Sequence, residues 1–504
     1  MPTTSRVKPD AHSSSPTNDG RVDEGPPRER RRTPLASAAL AVLRITRSVV
    51  AVPTGPDRSG ALLPLTGLRW IAAVYIVVLH TGIGAAALAL DSSQPSTHLG
   101  AVARAVLALL GHVGTFGYVA TGFFLVLGGY ALAIGYLDRT TGTFRRDRRA
   151  FWRSRFVRFV PLLLLTQGLR IPQYLLRQRE APWSEVATSL GVHVTGLQAW
   201  FPAHVMDLNY PAWTMTLLFS TWAVFPWVGP RLARLSAREL VLALVACQAY
   251  ALATACLLPT LDTPEPGAMA FWRTVLSTHP LVRGVDILSG ILLACLHRRR
   301  GATARRLAPA LLVASFASLL GACAVSGTVL PPDLARNGLL LAPILALLVA
   351  LVEYGGVRHV EPRGRLLRQV DRLGAAVVAG LTRPRLLRAA EASFTLYLVH
   401  AVPMSALTIA RDVVAGRPVM FGGEALPAHP LELPLILAYL VGITLLALRL
   451  HRHVTVPLQQ WAGAQLAALE ARLGLERAPE PATARDGRAQ PTEHPGDGTE
   501  QRVA

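Results

Sequence analysis

Residues 65–82 read LTGLRWIAAVYIVVLHTG, an apolar run broken by one arginine, Arg69, and one histidine, His80. Runs of about 20 such residues recur along the chain, and that length crosses the hydrocarbon core of a bilayer. The 504 residues are 51% hydrophobic and only 16% charged, with a mean hydropathy of +0.36. Soluble domains are about a quarter charged, so an ordinary soluble enzyme is excluded. Only helices or closed barrels satisfy their backbone inside lipid. Runs of this length predict an all-α polytopic membrane helical bundle.

Outward from that stretch, ten spans are expected, at 66–90, 113–136, 156–172, 212–230, 239–259, 281–297, 307–328, 337–354, 390–409 and 433–450. The third and sixth are short and carry polar residues. The flanking segments have another composition. Residues 1–60 are rich in Ser, Thr, Pro, Asp and Arg, and residues 477–504 in Pro and charge, so both are expected to be disordered. The membrane domain is set at 61–455 and a cytoplasmic helix at 456–476. Leu35–Val52 is apolar but interrupted by Arg44 and Arg47, which suits an interfacial helix better than a span.

Lysine plus arginine number 51 against 31 acidic residues, a net charge of +20, and Lys8 is the only lysine. A balance this basic raises nucleic acid as a partner. No helix-turn-helix, zinc-finger or stacking-aromatic pattern accompanies the arginines, so no nucleic acid is expected. They cluster between apolar runs, mostly after the even-numbered spans. The positive-inside rule then places both termini in the cytoplasm of a multi-pass cell-membrane protein. Cys247, Cys256, Cys295 and Cys323 all lie in apolar runs without metal-ligand spacing and are expected to be buried free thiols. The longest outward connection, 171–211, carries Trp183, His193, Trp200, Phe201 and His204. A connection of that length is functional, or a surface cap resting on the membrane.

Arg69 and His80 stand eleven residues apart. Eleven steps of 100° overshoot three turns by about 20°, so the two share a helix face about 16 Å apart along the axis. Arg69 is expected near the cytoplasmic interface and His80 near the middle of the membrane. An ionisable group at that depth is a functional candidate, with a helix-packing hydrogen bond as the alternative. Farther on, Arg155 and Arg158 lie three apart on one face at the inner rim, in FWRSRFVRFVP. They suit a bidentate phosphate clamp, or ordinary positive-inside flanking. Pro161 follows, expected in the first turns of its span.

Six stretches together resemble the acyltransferase 3 family of ten-span membrane O-acyltransferases. They are TGLRWIAAVYIVVLH, FFLVLGGY, Arg155-x-x-Arg158-x-x-Pro161, LNYPAWTMTLLFSTWAVFP, Arg283-x-x-Asp286-x-x-x-Gly290 and SFTLYLVH, in the family's order over about residues 62–455. The arginine–histidine pair and Asn209-Tyr210-Pro211-Ala212-Trp213 are the more specific matches. The resemblance implies transfer of an acyl group from cytosolic acyl-CoA, a co-substrate, to a hydroxyl of a glycan, lipid or macrolide-like metabolite. No bound cofactor or metal is implied. It further implies His80 and Arg69 as the catalytic pair, and Arg155 and Arg158 at the acyl-CoA entrance. His400 matches the family's late Tyr-Leu-x-His, where a packing hydrogen bond is expected.

The sequence departs from the pattern in three places. Leu218 stands where the family has glutamate, Gly128 where it has serine, and Tyr130 where it has phenylalanine. Losing the glutamate bears on competence or on acceptor choice, with Asp286, Glu353 and Glu391 as the other acidic residues at hand. A non-catalytic transporter or flippase for a glycan or metabolite is the rival reading, since basic residues lining a polar cavity serve transport equally well. An interaction scaffold built on the arginine-rich tails is a weaker one.

Overall fold

The computed structural model describes residues 61–84, 101–138, 140–178, 181–262, 271–326, 329–356, 365–414, 416 and 433–474. The tails expected to be disordered, the segment Leu35–Val52 and the end of the first expected span lie outside them. The described residues are helical, without a strand element: α1 (Leu63–His80), α2 (Ala101–Thr115), α3 (Tyr118–Tyr136), α4 (Arg148–Arg177), α5 (Trp183–Val194), α6 (Trp213–Arg234), α7 (Ala237–Leu257), α8 (Phe271–Thr278), α9 (Pro280–Val325), α10 (Leu341–Gly355), α11 (Arg365–Leu381), α12 (Pro384–Glu391), α13 (Ser393–Val399), α14 (Ala401–Val414), α15 (Leu433–Leu450) and α16 (Val456–Arg472).

Each expected span coincides with a helical segment, but only seven of these segments are both long and apolar enough to cross a membrane. The other three are α4, α6 and α10. α4 carries a buried polar stripe of Thr166, Gln167 and Arg170, and α6 buries Thr214 and Thr216. α10 is apolar but only 15 residues long. Polar groups facing a neighbour lower the hydropathy of a helix without removing it from the bundle, so composition alone understates these three.

Helix α9 covers two expected spans. It is helical for 46 residues, about 69 Å if straight, yet both ends come to Tyr118. Arg283 lines the same small cavity as Tyr118, Ser326 hydrogen-bonds Tyr118, and Cys323 Sγ lies 3.7 Å from the His112 carbonyl, one helix earlier. The element therefore folds back between its two crossing arms, Phe271–Arg299 and Thr303–Val325. At that bend Arg298 donates to the carbonyls of Leu137 and Asp138 at 3.4 and 3.1 Å. This end of the bundle also holds Arg145, Arg146, Arg148 and Arg149 and forms its basic face.

Close packing of α3 against α9 depends on two glycines. A Cβ on Gly129 would lie 1.9 Å from the Ile287 carbonyl oxygen, and one on Gly290 2.0 Å from that of Val126. Only hydrogen fits there, which is how small residues let membrane helices approach. Two of the six recognised motifs thus meet at one crossing.

Three expectations need correction. Asp147 caps α4, accepting from the Ala150 amide at 3.3 Å, so the helix starts at Arg148 and Pro161 lies in its interior, not its first turns. The first span is not one continuous helix: α1 stops at His80 and the chain turns through Gly82 at φ 68°. Cys256 is exposed, Cys323 only partly covered, and Cys247 and Cys295 are buried. Cys256 shares α7 with exposed Leu242 and Val245 on the outside of the bundle. An apolar run in a membrane protein has a lipid-facing side as well as a core side.

The long connection is a folded cap. His193 is fully buried; its Nδ1–H donates to the Ser189 carbonyl at 3.1 Å and its Nε2 accepts the Leu208 amide at 3.3 Å. A ring that donates from one nitrogen and accepts at the other is neutral, and burial pushes its pKa down to about 4. Trp183, Trp200 and Phe201 are exposed, while His204 pairs with Asp207 at 3.0 Å.

Candidate active site

His80 is the last residue of α1, and its Nδ1 lies 2.7 Å from Nε2 of His400, between α13 and α14. The rings stack at 5.0 Å and 9°, and Tyr210 meets His80 edge-on at 4.9 Å. The Nδ1 of His400 is 3.1 Å from the Leu396 carbonyl. A carbonyl only accepts, so that nitrogen carries the hydrogen of His400. With both rings uncharged, Nε2 of His400 then accepts, His80 donates from Nδ1, and Nε2 of His80 is left with a free lone pair. His400 is fully buried, whereas His80 is only partly covered.

The motifs around the pair clamp one another. Asn209 donates to the Leu398 carbonyl at 2.9 Å and Tyr397 to that of Pro211 at 2.6 Å, tying the Asn-Tyr-Pro segment to α13. Tyr439 of α15 donates to the His400 carbonyl at 2.5 Å. These bonds satisfy backbone where the helices break, the condition for irregular chain at membrane depth. The sequence singled out His80, and Tyr210 only as part of a motif; it expected a packing hydrogen bond at His400, which the contact to His80 supplies, and gave no sign of Gln167. The adjacency of His400 to His80 joins residues 320 apart in the chain, and only its motif position hinted at it.

Arg69 is not joined to His80 by any contact among the described residues. Its Nε donates to Ser393 Oγ at 3.2 Å and its Nη2 to the Ala390 carbonyl at 2.8 Å. Its charge neighbours are Glu391 and, towards the basic face, Arg158 and His451. Arg158 feels the charges of both Arg69 and Arg155, and His451 those of Arg158 and Arg69. Arg155 sits among rings, 4.9 Å from the Tyr136 centroid and 5.5 Å from those of Phe151 and Trp222; Arg158 lies 5.5 Å from that of Phe159. Aromatic faces hold a guanidinium without neutralising it. Arg69, Arg155 and Arg158 therefore form one basic cluster, separate from the histidine pair.

The departures from the family pattern also have places. A Cβ on Gly128 would lie 3.7 Å from Leu218 Cδ2, so two of the positions that depart from the pattern face each other. Tyr130, the third, lies 2.7 Å from Nδ1 of His297, whose Nε2 is 2.5 Å from Glu353. Arg305 reaches the other Glu353 oxygen at 3.4 Å, and Asp286 pairs with Arg283 at 2.6 Å. Neither carboxylate is near the histidine pair. An apolar cleft of about 270 Å³ runs between α4, α14 and α15, lined by Leu162, Leu169, Val402 and Leu446 among others, and His400 is not part of its wall.

The site is thus a histidine pair, His400 buried and His80 partly covered, at a helix break in a polytopic helical bundle with a basic face. The acyltransferase-domain model of the acyltransferase 3 family matches residues 64–452, and the chain belongs to that family. It is 27% identical to the acyltransferase MdmB of Streptomyces mycarofaciens over 356 residues, 68% of this chain and 79% of that one. No solved structure matches it significantly. The chain is an acyltransferase, which retires the transport and scaffold readings.

Proposed function

We propose that the protein transfers an acyl group from acyl-CoA, bound at a cytoplasmic basic face, to a hydroxyl of a glycan, lipid or macrolide-like acceptor, with His80 as general base. The observation that carries this reading is the hydrogen-bond chain Leu396–His400–His80, which leaves Nε2 of His80 unprotonated. A neutral imidazole is matched to accepting a hydroxyl proton near neutral pH. As the acceptor oxygen bonds to the thioester carbon, its proton passes to His80 Nε2. The carbon–sulfur bond then breaks, and the CoA sulfur leaves and takes up a proton. Two features favour the transient imidazolium: His80 ends a helix, where carbonyl dipoles favour positive charge, and its Nδ1–H keeps an acceptor in His400.

The donor reading rests on Arg69, Arg155 and Arg158. Coenzyme A is polyanionic, and a cluster of guanidiniums held against rings provides charge and fork geometry for phosphate. Arg69 acts here as a donor-orienting residue, about 16 Å from the base by helix rise. The cytoplasmic placement of this face, and of both termini, rests on the arginine asymmetry of the connections.

Purified protein in proteoliposomes, given radiolabelled acetyl-CoA, tests both parts. Arg155→Gln with Arg158→Gln should raise the donor KM, and the difference from wild type should shrink as salt rises. An unchanged donor KM would assign the two arginines to topology. No transfer to any alcohol by the wild type would overturn the proposal as a whole.

A further inference from the structure

Gln167 in α4 and Asn209 in the strap before α6 are 1% and 0% exposed. The orientation of each amide is fixed by an obligate partner. The Asn209 backbone N–H only donates, and it meets Gln167 Oε1 at 3.1 Å. The Leu398 carbonyl only accepts, and it meets Asn209 Nδ2 at 2.9 Å. That leaves Gln167 Nε2 and Asn209 Oδ1, both buried, and neither has a hydrogen-bond partner in the structure. A buried polar group left unmet is destabilising, and such groups ask for a functional explanation.

The place is informative. Asn209 precedes Tyr210, whose ring lies 4.9 Å from His80 and 6.1 Å from His400, and Arg170, three residues after Gln167, is an electrostatic neighbour of Tyr210. Arg170 is itself occupied, with Nε on the Leu208 carbonyl and Nη1 on Gln173. What remains open is one N–H donor and one oxygen acceptor. Their complement is a group that accepts and donates at the same atom, and an alcohol hydroxyl is that group.

We propose that Gln167 and Asn209 form the binding site for the acceptor hydroxyl, Gln167 Nε2–H donating to its oxygen and Asn209 Oδ1 holding its proton until His80 takes it. This deepens the function proposed above and rests on it. The acceptor is then selected by a free hydroxyl presented at this pair, with amines and ethers fitting less well. An ether lacks the proton, and an ammonium lacks the lone pair.

The test uses the full chain in proteoliposomes with acetyl-CoA and a panel of glycoside and macrolide alcohols, taking as probe the alcohol that wild type acylates fastest. Gln167→Glu keeps the bond to the Asn209 amide but replaces the spare donor with an acceptor; Gln167→Met removes both. Both should raise the probe's KM about tenfold and leave the donor KM unchanged. A structural role would move both KM values together, and an unchanged probe KM would overturn the assignment. Wild type supplies a reading that needs no variant to fold. The probe's O-methyl ether at the reacting hydroxyl should inhibit competitively with a Ki at least tenfold above the KM of the alcohol. A Ki equal to that KM would overturn the assignment while leaving acyl transfer standing. A wild type that acylates no alcohol in the panel would remove this proposal and the function on which it rests.

Discussion

Two histidine clusters sit inside one bundle, and their chemistry differs. Around His297 every valence is answered: Tyr130 at Nδ1, Glu353 at Nε2, and Arg305 on the far oxygen of that carboxylate. Around His80 one nitrogen is held by His400 and the other is open, with no carboxylate in the contacts of either ring. A saturated network in a low-dielectric interior rigidifies and specifies packing. An unsaturated one stores a donor or acceptor for something that arrives later. Histidine at membrane depth is therefore not one signal but two, and the partner set separates them.

The largest expected difference is in turnover. His80→Ala should lower acyl transfer about 10²–10⁴-fold, the usual contribution of a general base, with abundance and topology retained. A well-folded His80→Ala protein that transfers at wild-type rate would erase the distinction between the clusters. His297→Leu should do the opposite. Breaking a buried pair costs about 3–5 kcal/mol, towards the lower end here because Arg305 still faces Glu353. Detergent-solubilised thermal unfolding should show that loss, while transfer per folded molecule stays as in wild type.

A smaller effect is expected where Leu218 meets Gly128. Leu218→Glu alone puts an unpaired carboxylate inside the bundle, at a cost of about 2.5–3.5 kcal/mol on insertion-based scales. Adding Gly128→Ser supplies a hydroxyl from across the 3.7 Å contact, and a hydrogen bond to a charged group restores about 1.5–3 kcal/mol. The double variant should therefore be the more stable of the two by thermal scan, and equal stability would show that these positions do not couple.

The smallest effect is a pH response of the cap. His193 is held neutral, with its pKa pushed down to about 4 against an ordinary value near 6.5. Between those values the unfolded cap binds the extra proton and the folded one does not. Its contribution to cap stability is thus complete above about pH 6.5 and is lost as pH falls towards 4. Protease nicking within residues 183–212 should rise over that window in wild type and stay flat in His193→Phe. A wild-type profile as flat as the variant's would show that the ring titrates freely.

The sequence by itself determined the class of fold. Apolar runs of bilayer length with no alternating pattern fold as helices in lipid, and seven of the ten expected spans fall on helices long and apolar enough to cross, because that constraint is local to the run. His80 stood out as an ionisable residue in an apolar run, and Arg155 and Arg158 by their spacing at the entry of a span, without any knowledge of their neighbours. Motif order carried the family. Pro161, Cys256 and the break after His80 were misplaced because each depends on where a helix starts, faces or stops, and hydropathy is blind to all three.

Only the tertiary structure decided the pairings. Arg69 shares a helix face with His80 by arithmetic, yet its guanidinium reaches Ser393 and Ala390, because a long side chain follows the nearest carbonyl and hydroxyl rather than its own helix axis. His400, Asn209 and Gln167 meet around Tyr210 through contacts 42 to 320 residues apart in sequence. Gly128 and Leu218 became neighbours only when α3 and α6 were placed side by side. Periodicity fixes which face a residue occupies; what lies opposite that face is set by packing between helices, and a single chain of letters does not contain it.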